Sequence, residues 1–146
     1  MPRILAVDWG ERRVGLAVSD AHGIIATGLD TLEVRGVEDA LTRVAGVAEE
    51  TGAEAIVVGL PLLMSGERGE AARTAEAFAE ALRLRVAVRV DTYDERLTTA
   101  ISARRLREVG VRTGRARGRV DQGAAVALLE SYLLRLQSGG AHGEGG

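Results

Sequence analysis

The chain has 146 residues, 46% of them apolar, and a formal net charge of −2, a composition that suits one folded domain with a substantial core rather than a disordered chain. It has no cysteine, which excludes disulfides, thiolate zinc sites and cysteine nucleophiles. All 19 basic residues are arginines, and the lack of lysine excludes P-loop lysines and Schiff-base lysines. Carboxylate and arginine chemistry remain for function.

The first part of the chain predicts a meander of three strands. Residues 3–9 form an apolar run that suits a strand buried on both faces, and residues 14–20 suit its hairpin partner. The connection between them is short and begins with Gly10, as a tight hairpin requires. Residues 24–34 predict the third strand.

From residue 37 onwards, helical and strand patterns alternate. Apolar residues at helical spacing predict the helices, and Gly52 is placed to end the first of them. Short apolar or alternating runs predict two more strands. In chain order we predict a helix at 37–51, a strand at 55–59, a loop at 62–69, a helix ending near 84, a strand at 86–90, a helix at 97–109, an exposed arginine-rich loop at 110–120 and a last helix at 121–137.

This element order predicts an α/β fold with a central mixed five-stranded sheet flanked by helices. Three antiparallel hairpin strands come first, and parallel strands follow. We expect a single domain over residues 1–137 and a disordered glycine-rich tail at 138–146. The sequence shows no signal peptide and no apolar stretch of membrane-spanning length, so we expect a cytoplasmic protein with no membrane partner.

Three acidic residues stand at the ends of predicted elements. Asp8 closes the first strand, Glu95 follows the fifth strand and Asp121 opens the last helix. Buried carboxylates are costly unless a partner neutralises them, and several converging carboxylates usually bind a hard divalent cation. Ligands of open α/β sheets collect at the carboxyl ends of the strands, so we expect the acids to meet there.

Each acid also has a simpler interpretation. Asp8 could stabilise a turn, and Asp121 could be an acid that the helix dipole favours. Asp94 competes with Glu95 for the same role, but successive residues of an extended segment point to opposite faces, so only one of the two would face the site. Gly10 and Gly15 serve either backbone geometry and strand packing alone, or the same roles in support of the site.

Residues 104–119 carry seven arginines against one acid, Glu108, which gives this segment a charge of +6. Such a run forms either a solvated surface or a phosphate-binding strip, and its position just before Asp121 favours the strip. Arg96 could pair with an acid or contact a phosphate. The predicted nucleic-acid contacts are Arg13, Arg96, Arg104, Arg105, Arg112, Arg115, Arg117 and Arg119.

Four motifs give the chain a family resemblance. They read DWGERRVGLAVSD at 8–20, VGLP at 58–61, DERLTT at 94–99 and VDQGAA at 120–125. In this order and spacing they resemble the YqgF-type, or RuvX-type, proteins of the RNase H-like superfamily, and the resemblance covers residues 4–136. One departure is Leu63, where the family often has an asparagine whose amide could contact the substrate.

The resemblance implies an RNase H-like fold and a nuclease that uses two Mg²⁺ or Mn²⁺ ions. It maps the catalytic, metal-binding acids onto Asp8, Glu95 and Asp121, with Asp8 bridging both ions and Asp94 kept as a reserve ligand. The implied nucleic-acid substrate is precursor 16S rRNA, processed at its 5′ end, with a branched DNA, the Holliday junction, as the alternative. A resolvase must cut two strands symmetrically, which implies a twofold homodimer. The sequence has no feature that selects an oligomeric state, so we expect either a monomer or a homodimer.

Two other classes of protein compete with a nuclease. Actin-like ATPases also open with Asp-x-Gly on a hairpin, but they need two such domains around the nucleotide, and this chain has the length of one. A non-catalytic RNA-binding assembly factor could keep the fold and the basic segment. The presence of all three acids argues against that alternative.

Overall fold

The computed structural model describes residues 2–63, 65–97 and 117–141, and for 117–122 and 138–141 it describes the backbone alone. Within these ranges, five strands form one sheet that has helices on both faces. The elements, in chain order, are β1 (Ile4–Asp8), β2 (Arg13–Ser19), β3 (Ala26–Glu33), α1 (Val37–Thr51), β4 (Ala55–Leu60), α2 (Glu70–Arg83), β5 (Arg89–Asp94), a 3₁₀ helix (Glu95–Leu97) and α3 (Arg117–Ala141).

The strand order in the sheet is β3-β2-β1-β4-β5, which makes β1 the central strand. β1 pairs antiparallel with β2, and β2 pairs antiparallel with β3. β1 pairs parallel with β4, and β4 pairs parallel with β5. The predicted mixed sheet is therefore confirmed, and the carboxyl ends of β1, β4 and β5 lie at one edge of it.

Successive side chains of β1 point to opposite faces of the sheet and pack into two cores, one on each face. Leu5 and Val7 belong to the core that α1 and α2 cover, whereas Ile4 and Ala6 belong to the core that α3 covers. All five residues of β1 are buried, as its continuous apolar run predicts. The α3 core also contains Ala17, Val57, Ala125, Leu128 and Leu129.

The first helix agrees with its sequence pattern at both ends. α1 begins at Val37 and ends at Thr51, as predicted. Gly52 follows with φ of 71°, and its backbone N–H bonds to the carbonyl oxygens of Ala48 and Glu49. This left-handed conformation favours glycine, because a side chain there would be strained, so the predicted glycine stop is confirmed.

The fifth strand begins three residues later and ends four residues later than its pattern predicts. We expected 86–90, but β5 pairs with β4 from Arg89, opposite Ala55, to Asp94, opposite Leu60. Val86 and Val88 pack against the α1–α2 core without entering the ladder. Their alternation therefore reports burial, while the position of β4 determines where pairing begins.

The last helix is longer than its pattern predicts at both ends. It begins at Arg117 rather than Asp121, so it includes four residues of the predicted loop, of which the two arginines favour a helix and Gly118 disfavours it. Its backbone remains helical to Ala141, and the disordered tail at 138–146 stays a prediction. The predicted structure at 98–116 and 142–146 lies outside the described residues. Although α3 has 25 residues, no helix in the described ranges combines the length and apolar character that a membrane span needs.

Candidate active site

Asp8 ends the central strand at the carboxyl edge of the sheet. Its position, two residues after Ala6 and four after Ile4, places its side chain on the α3 face. The residue is only 9% exposed. Trp9 points to the other face, where its ring stacks on Phe78 with the ring centroids 4.4 Å apart. Asp8 is thus held at a fixed position by packing on both sides of the sheet.

Two glycines flank Asp8 on the neighbouring strands. Asp8 pairs with Gly15 of β2. In the register with β4, Val7 is level with Val58, so Asp8 is level with Gly59. Residues at the same level of a sheet project to the same face, so neither neighbour adds a side chain beside the carboxylate. The surface of the sheet on both sides of Asp8 is therefore made of backbone alone, which leaves room for another group to approach.

Glu95, which directly follows β5, places its side chain on this backbone surface. It is the first residue of the 3₁₀ helix and is 3% exposed. A methyl group built on Gly59 would lie 3.0 Å from Cγ and 3.1 Å from Cδ of Glu95, so the Glu95 side chain lies directly over Gly59. Since adjacent strands are about 4.8 Å apart, Asp8 and Glu95 bring two buried carboxyl groups to one place.

Gly59 is not among the predicted site residues, although it belongs to the VGLP motif. Its function as the surface under Glu95 depends on the alignment of β4 with β1 and β5, which the sequence does not display. The available signal was a glycine within the apolar run of β4, because a glycine inside a strand often marks the close approach of another group.

Asp121 lies in the first part of α3, and its side chain is outside the described residues. It precedes Ala125 by about one helical turn. Ala125 is fully buried in the α3 core together with Ile4 and Ala6, so this part of the helix packs on the face that carries Asp8. The side chains that the structure describes include no group of three acids or histidines that could hold a metal ion.

Asp94, the reserve ligand, binds Arg96 through both carboxylate oxygens. Nε of Arg96 lies 3.1 Å from Oδ1 and 3.0 Å from Oδ2, and a terminal nitrogen lies 2.7 Å from Oδ2. The hydrogen bonds from Arg96 hold the pKa of Asp94 below its usual value. Asp94 thus positions Arg96. Pairing with an acid was the first of the two roles that the sequence left open for this arginine.

The Arg96 guanidinium lies against the loop that follows β4. A methyl group built on Gly66 would be 3.4 Å from a terminal nitrogen of Arg96. Gly66 has φ of 91°, a conformation that favours glycine, and its N–H donates to the Leu63 carbonyl oxygen at 2.7 Å. Leu63 is half-exposed in this loop and packs against Gly69.

The remaining predicted site residues fall into two groups. Arg13 begins β2 at the same edge of the sheet as Asp8 and is exposed. A methyl group built on Gly10 would lie 2.5 Å from the Arg13 carbonyl oxygen, so the hairpin needs glycine for close backbone approach. The other predicted arginines have side chains outside the described residues, namely Arg104, Arg105, Arg112, Arg115, Arg117 and Arg119.

A directed chain of hydrogen bonds links α3 to the turn that carries Glu95. Nε of Arg135 donates to the Tyr93 hydroxyl at 3.2 Å, and that hydroxyl lies 3.0 Å from Oγ of Ser131. Ser131 donates its single proton to the Leu97 carbonyl oxygen at 3.1 Å, so Tyr93 must donate to Ser131. The chain therefore fixes the last residue of the 3₁₀ helix that Glu95 opens.

A second contact joins α3 to β5. The Tyr132 hydroxyl donates to Oδ2 of Asp91 at 2.7 Å, and Arg89 pairs with the same carboxylate. Burial and the Asp91 carboxylate raise the pKa of Tyr132 to about 12. Burial alone would raise the pKa of Asp91, but the hydrogen bonds from Arg89 and Tyr132 outweigh it and lower that pKa.

The change Tyr132→Phe is expected to lower the free energy of unfolding at pH 7 by about 1–2 kcal/mol, because it removes a hydrogen bond to a charged acceptor. Since folding raises the Tyr132 pKa, the stability that this proton provides is complete below about pH 10 and declines towards pH 12. Urea unfolding from pH 7 to 11 should show the difference between the two proteins shrinking above pH 10. Equal stability of the two proteins at pH 7 would contradict the prediction. The control is Thr27→Val, which removes a hydroxyl group at an exposed position of β3.

Comparisons with known proteins bear on this geometry. A family model described as "RuvX: Holliday junction resolvase" matches residues 2–135. The chain belongs to the RuvX family. The matched residues include Asp8, Glu95 and Asp121, and the resemblance that the four motifs indicated is confirmed.

Curated relatives of this RuvX-family chain cover most of its length. A protein of Chloroflexus aurantiacus named "Putative pre-16S rRNA nuclease" is 40% identical over 130 residues, which are 89% of this chain and 85% of the relative. A protein of Mycobacteroides abscessus with the same name is 42% identical over 144 residues, which are 97% of this chain and 87% of the relative. Both names, like the family description, are those of nucleases.

A solved structure shows the same fold. RuvC of T. thermophilus, solved in complex with a Holliday junction substrate, superposes with a TM-score of 0.55 at 19% identity and covers 93% of this chain and 96% of its own. T. thermophilus RuvC in another structure gives a TM-score of 0.56 at 17% identity, covering 92% of this chain and 96% of that one. The RNase H-like fold predicted from the sequence is therefore confirmed.

Proposed function

We propose that this RuvX-family protein is a divalent-metal-dependent nuclease that processes the 5′ end of precursor 16S rRNA. The observation that carries the proposal is the placement of two buried carboxyl groups on one face of the sheet, with Glu95 over Gly59 and Asp8 beside it on the neighbouring strand. The names of relatives that are about 40% identical support RNA as the substrate. Such an enzyme would act in the cytoplasm, as the sequence predicts.

The donor groups fit Mg²⁺ or Mn²⁺. Carboxylate oxygens are the ligands that hard divalent cations prefer, and the described site offers them without cysteine or histidine. Asp8, Glu95 and Asp121 would hold two such ions. When bound, the ions would polarise the scissile phosphate and stabilise the charge on the leaving oxygen. Asp94 is not needed in this set, because its carboxylate already holds Arg96.

The residues of the chain would position the substrate around these acids. Gly15 adds no side chain beside Asp8, which leaves room there for a phosphodiester, while Gly59 makes room for the Glu95 side chain. The packing of β1 and the hydrogen bonds from α3 to the Glu95 turn hold the two carboxylates in place, so little reorganisation is needed when the substrate binds. Arg13 and the arginines of 104–119 would neutralise backbone phosphates without reading bases.

The decisive experiment is a cleavage panel with the purified protein. A precursor 16S rRNA 5′-leader mimic, an unrelated single-stranded RNA and a four-way DNA junction are each incubated with Mg²⁺, with Mn²⁺ and with EDTA. Cleavage of the leader mimic that EDTA abolishes is the expected result. Binding of RNA with no cleavage under any condition would contradict the proposal and favour a non-catalytic assembly factor.

The alternative function is resolution of Holliday junctions. The family description names this activity, and the solved structure with the same fold holds a junction. Symmetric cleavage requires two active sites related by a twofold axis, so a resolvase would act as a homodimer, whereas an rRNA nuclease could act as a monomer. Symmetric nicks in the four-way junction, together with a dimer in sedimentation analysis, would establish this alternative.

A further inference from the structure

A separate cluster of positive charge lies where the β1–β2 hairpin meets the end of β3. Arg12, Arg13 and Arg35 line a cleft of about 580 Å³, which is within the size range of ordinary ligand pockets. Of these three arginines, only Arg13 is among the predicted nucleic-acid contacts. The other residues that line the cleft are Glu11, Glu33, Val34 and Gly36.

The backbone of the three arginines is fixed. The N–H of Val34 donates to the Arg12 carbonyl oxygen at 2.9 Å, which ties the hairpin to the end of β3. Arg13 pairs with Glu33 in the β2–β3 ladder. The N–H of Arg35 donates to Oδ2 of Asp39 at 3.0 Å. Hydrogen bonds from three neighbouring segments therefore hold the cleft in shape.

The cleft lies at the same edge of the sheet as the acids. Arg13 is two residues from Gly15, the residue that pairs with Asp8. Two residues of strand span about 7 Å, and one strand spacing adds about 4.8 Å in the perpendicular direction. A nucleic-acid strand whose scissile phosphate lies at Asp8 would therefore bring a phosphate to the cleft within about one to three nucleotides, given about 3.4 Å per nucleotide in a duplex.

The charge of the lining suits one phosphodiester. Three arginines and two glutamates line the cleft, so its lining residues carry one net positive charge. Arginine binds phosphate through paired N–H donors, which gives it both strength and orientation. Among the described residues that line the cleft, none has an aromatic side chain on which a base could stack. Its chemistry is therefore that of a backbone contact.

We propose that Arg12, Arg13 and Arg35 form a phosphate subsite that binds the substrate strand one to three nucleotides from the cleaved bond, an inference that rests on the proposed nuclease function. The subsite would set the strand on one side of Asp8 only. It is distinct from the arginines of 104–119, which belong to another part of the sequence.

The test is a ladder of single-stranded RNA substrates that grow by one nucleotide on either side of the mapped cleavage site. The wild-type protein should gain about tenfold in kcat/KM at one step, when a phosphate reaches the cleft, and on one side only. Arg12→Gln combined with Arg35→Gln should lose that step. The slope of log binding constant against log salt should fall in magnitude by about 0.7 for one lost phosphate contact.

The matched control removes two arginines at the other edge of the sheet. Arg3 precedes β1 and Arg89 begins β5, so Arg3→Gln combined with Arg89→Gln makes the same change in net charge far from the cleft. Because Arg89 pairs with Asp91 and Arg3 donates to the Thr51 carbonyl oxygen, thermal unfolding of both double variants is measured and the assays are run below the lower midpoint. This control should keep the step. If the double variant of Arg12 and Arg35 keeps the step, or the control loses it equally, the subsite does not exist.

Binding measured in an Asp8→Asn background separates this proposal from the proposed function. If the wild-type protein cleaves RNA but neither cleavage nor binding shows a step along the ladder, the subsite fails while the nuclease assignment stands. If the wild-type protein cleaves nothing, the nuclease assignment fails. In that case there is no cleavage site from which to build the ladder, so RNA binding is compared directly. A loss of binding in the Arg12 and Arg35 variant that the Arg3 and Arg89 control lacks would support a phosphate site in the cleft, and equal binding by all three proteins would exclude it.

Discussion

Asp8→Asn is expected to lower the rate of RNA cleavage by about three orders of magnitude and to leave RNA binding nearly unchanged. The substitution keeps the size of the side chain but removes the charge with which Asp8 would hold the divalent ions. A catalytic ion contributes several kcal/mol to the stabilisation of the transition state, and each 1.36 kcal/mol corresponds to a factor of ten in rate. Single-turnover cleavage and filter binding on the same RNA measure the two effects.

The matched control for Asp8→Asn is Asp30→Asn. Asp30 lies in β3 and is exposed, so the same chemical change there should alter neither cleavage nor the midpoint of thermal unfolding. Loss of both cleavage and the folded structure in Asp8→Asn would be uninformative about chemistry, which is why circular dichroism accompanies the assay. Wild-type cleavage by a folded Asp8→Asn protein would show that the site assignment is wrong.

The first half of the fold could be predicted because its signals are local. The hairpin of β1 and β2 follows from two apolar runs and a short glycine-led link, and α1 follows from helical spacing and Gly52. The position of β5 could not be predicted in this way. Its ladder is set by the register with β4, and the alternating Val86 and Val88 are buried by packing rather than by strand pairing.

The site shows the same division between local and non-local information. Asp8 and Glu95 could be selected from motifs and from their places at strand ends. That the two acids share one surface depends on three strands being in register and on Gly59 lacking a side chain. The part played by Ser131 could not be predicted either, because its partners, Tyr93 and the Leu97 carbonyl, are more than thirty residues away.

Gly59→Ala is expected to lower cleavage by about two orders of magnitude or more, although position 59 carries no chemical group. The new methyl group would lie within 3.1 Å of both Cγ and Cδ of Glu95, so the carboxylate must move. Displacing a catalytic group by about 1 Å can cost about a hundredfold in rate. The concentration of Mg²⁺ needed for half-maximal cleavage should rise as well, which a metal titration of initial rates would measure.

The control for this change is Gly46→Ala. Gly46 lies inside α1, and a methyl group there would meet no atom within 4 Å, so the substitution should leave cleavage unchanged and stabilise the helix by about 1 kcal/mol. Gly59→Ala should instead destabilise the fold by about 1–3 kcal/mol through overpacking. Thermal unfolding of both variants therefore accompanies the assays, which are run well below the lower midpoint.

A double-mutant cycle identifies the route by which Gly59→Ala acts. Glu95→Gln alone should also cause a large loss of cleavage. If the methyl group acts by displacing Glu95, adding Gly59→Ala to Glu95→Gln should change the residual rate by much less than it changes the wild-type rate. Full additivity of the two losses would mean that alanine at position 59 disturbs something other than Glu95, and the shared surface for the two carboxylates would then have to be abandoned.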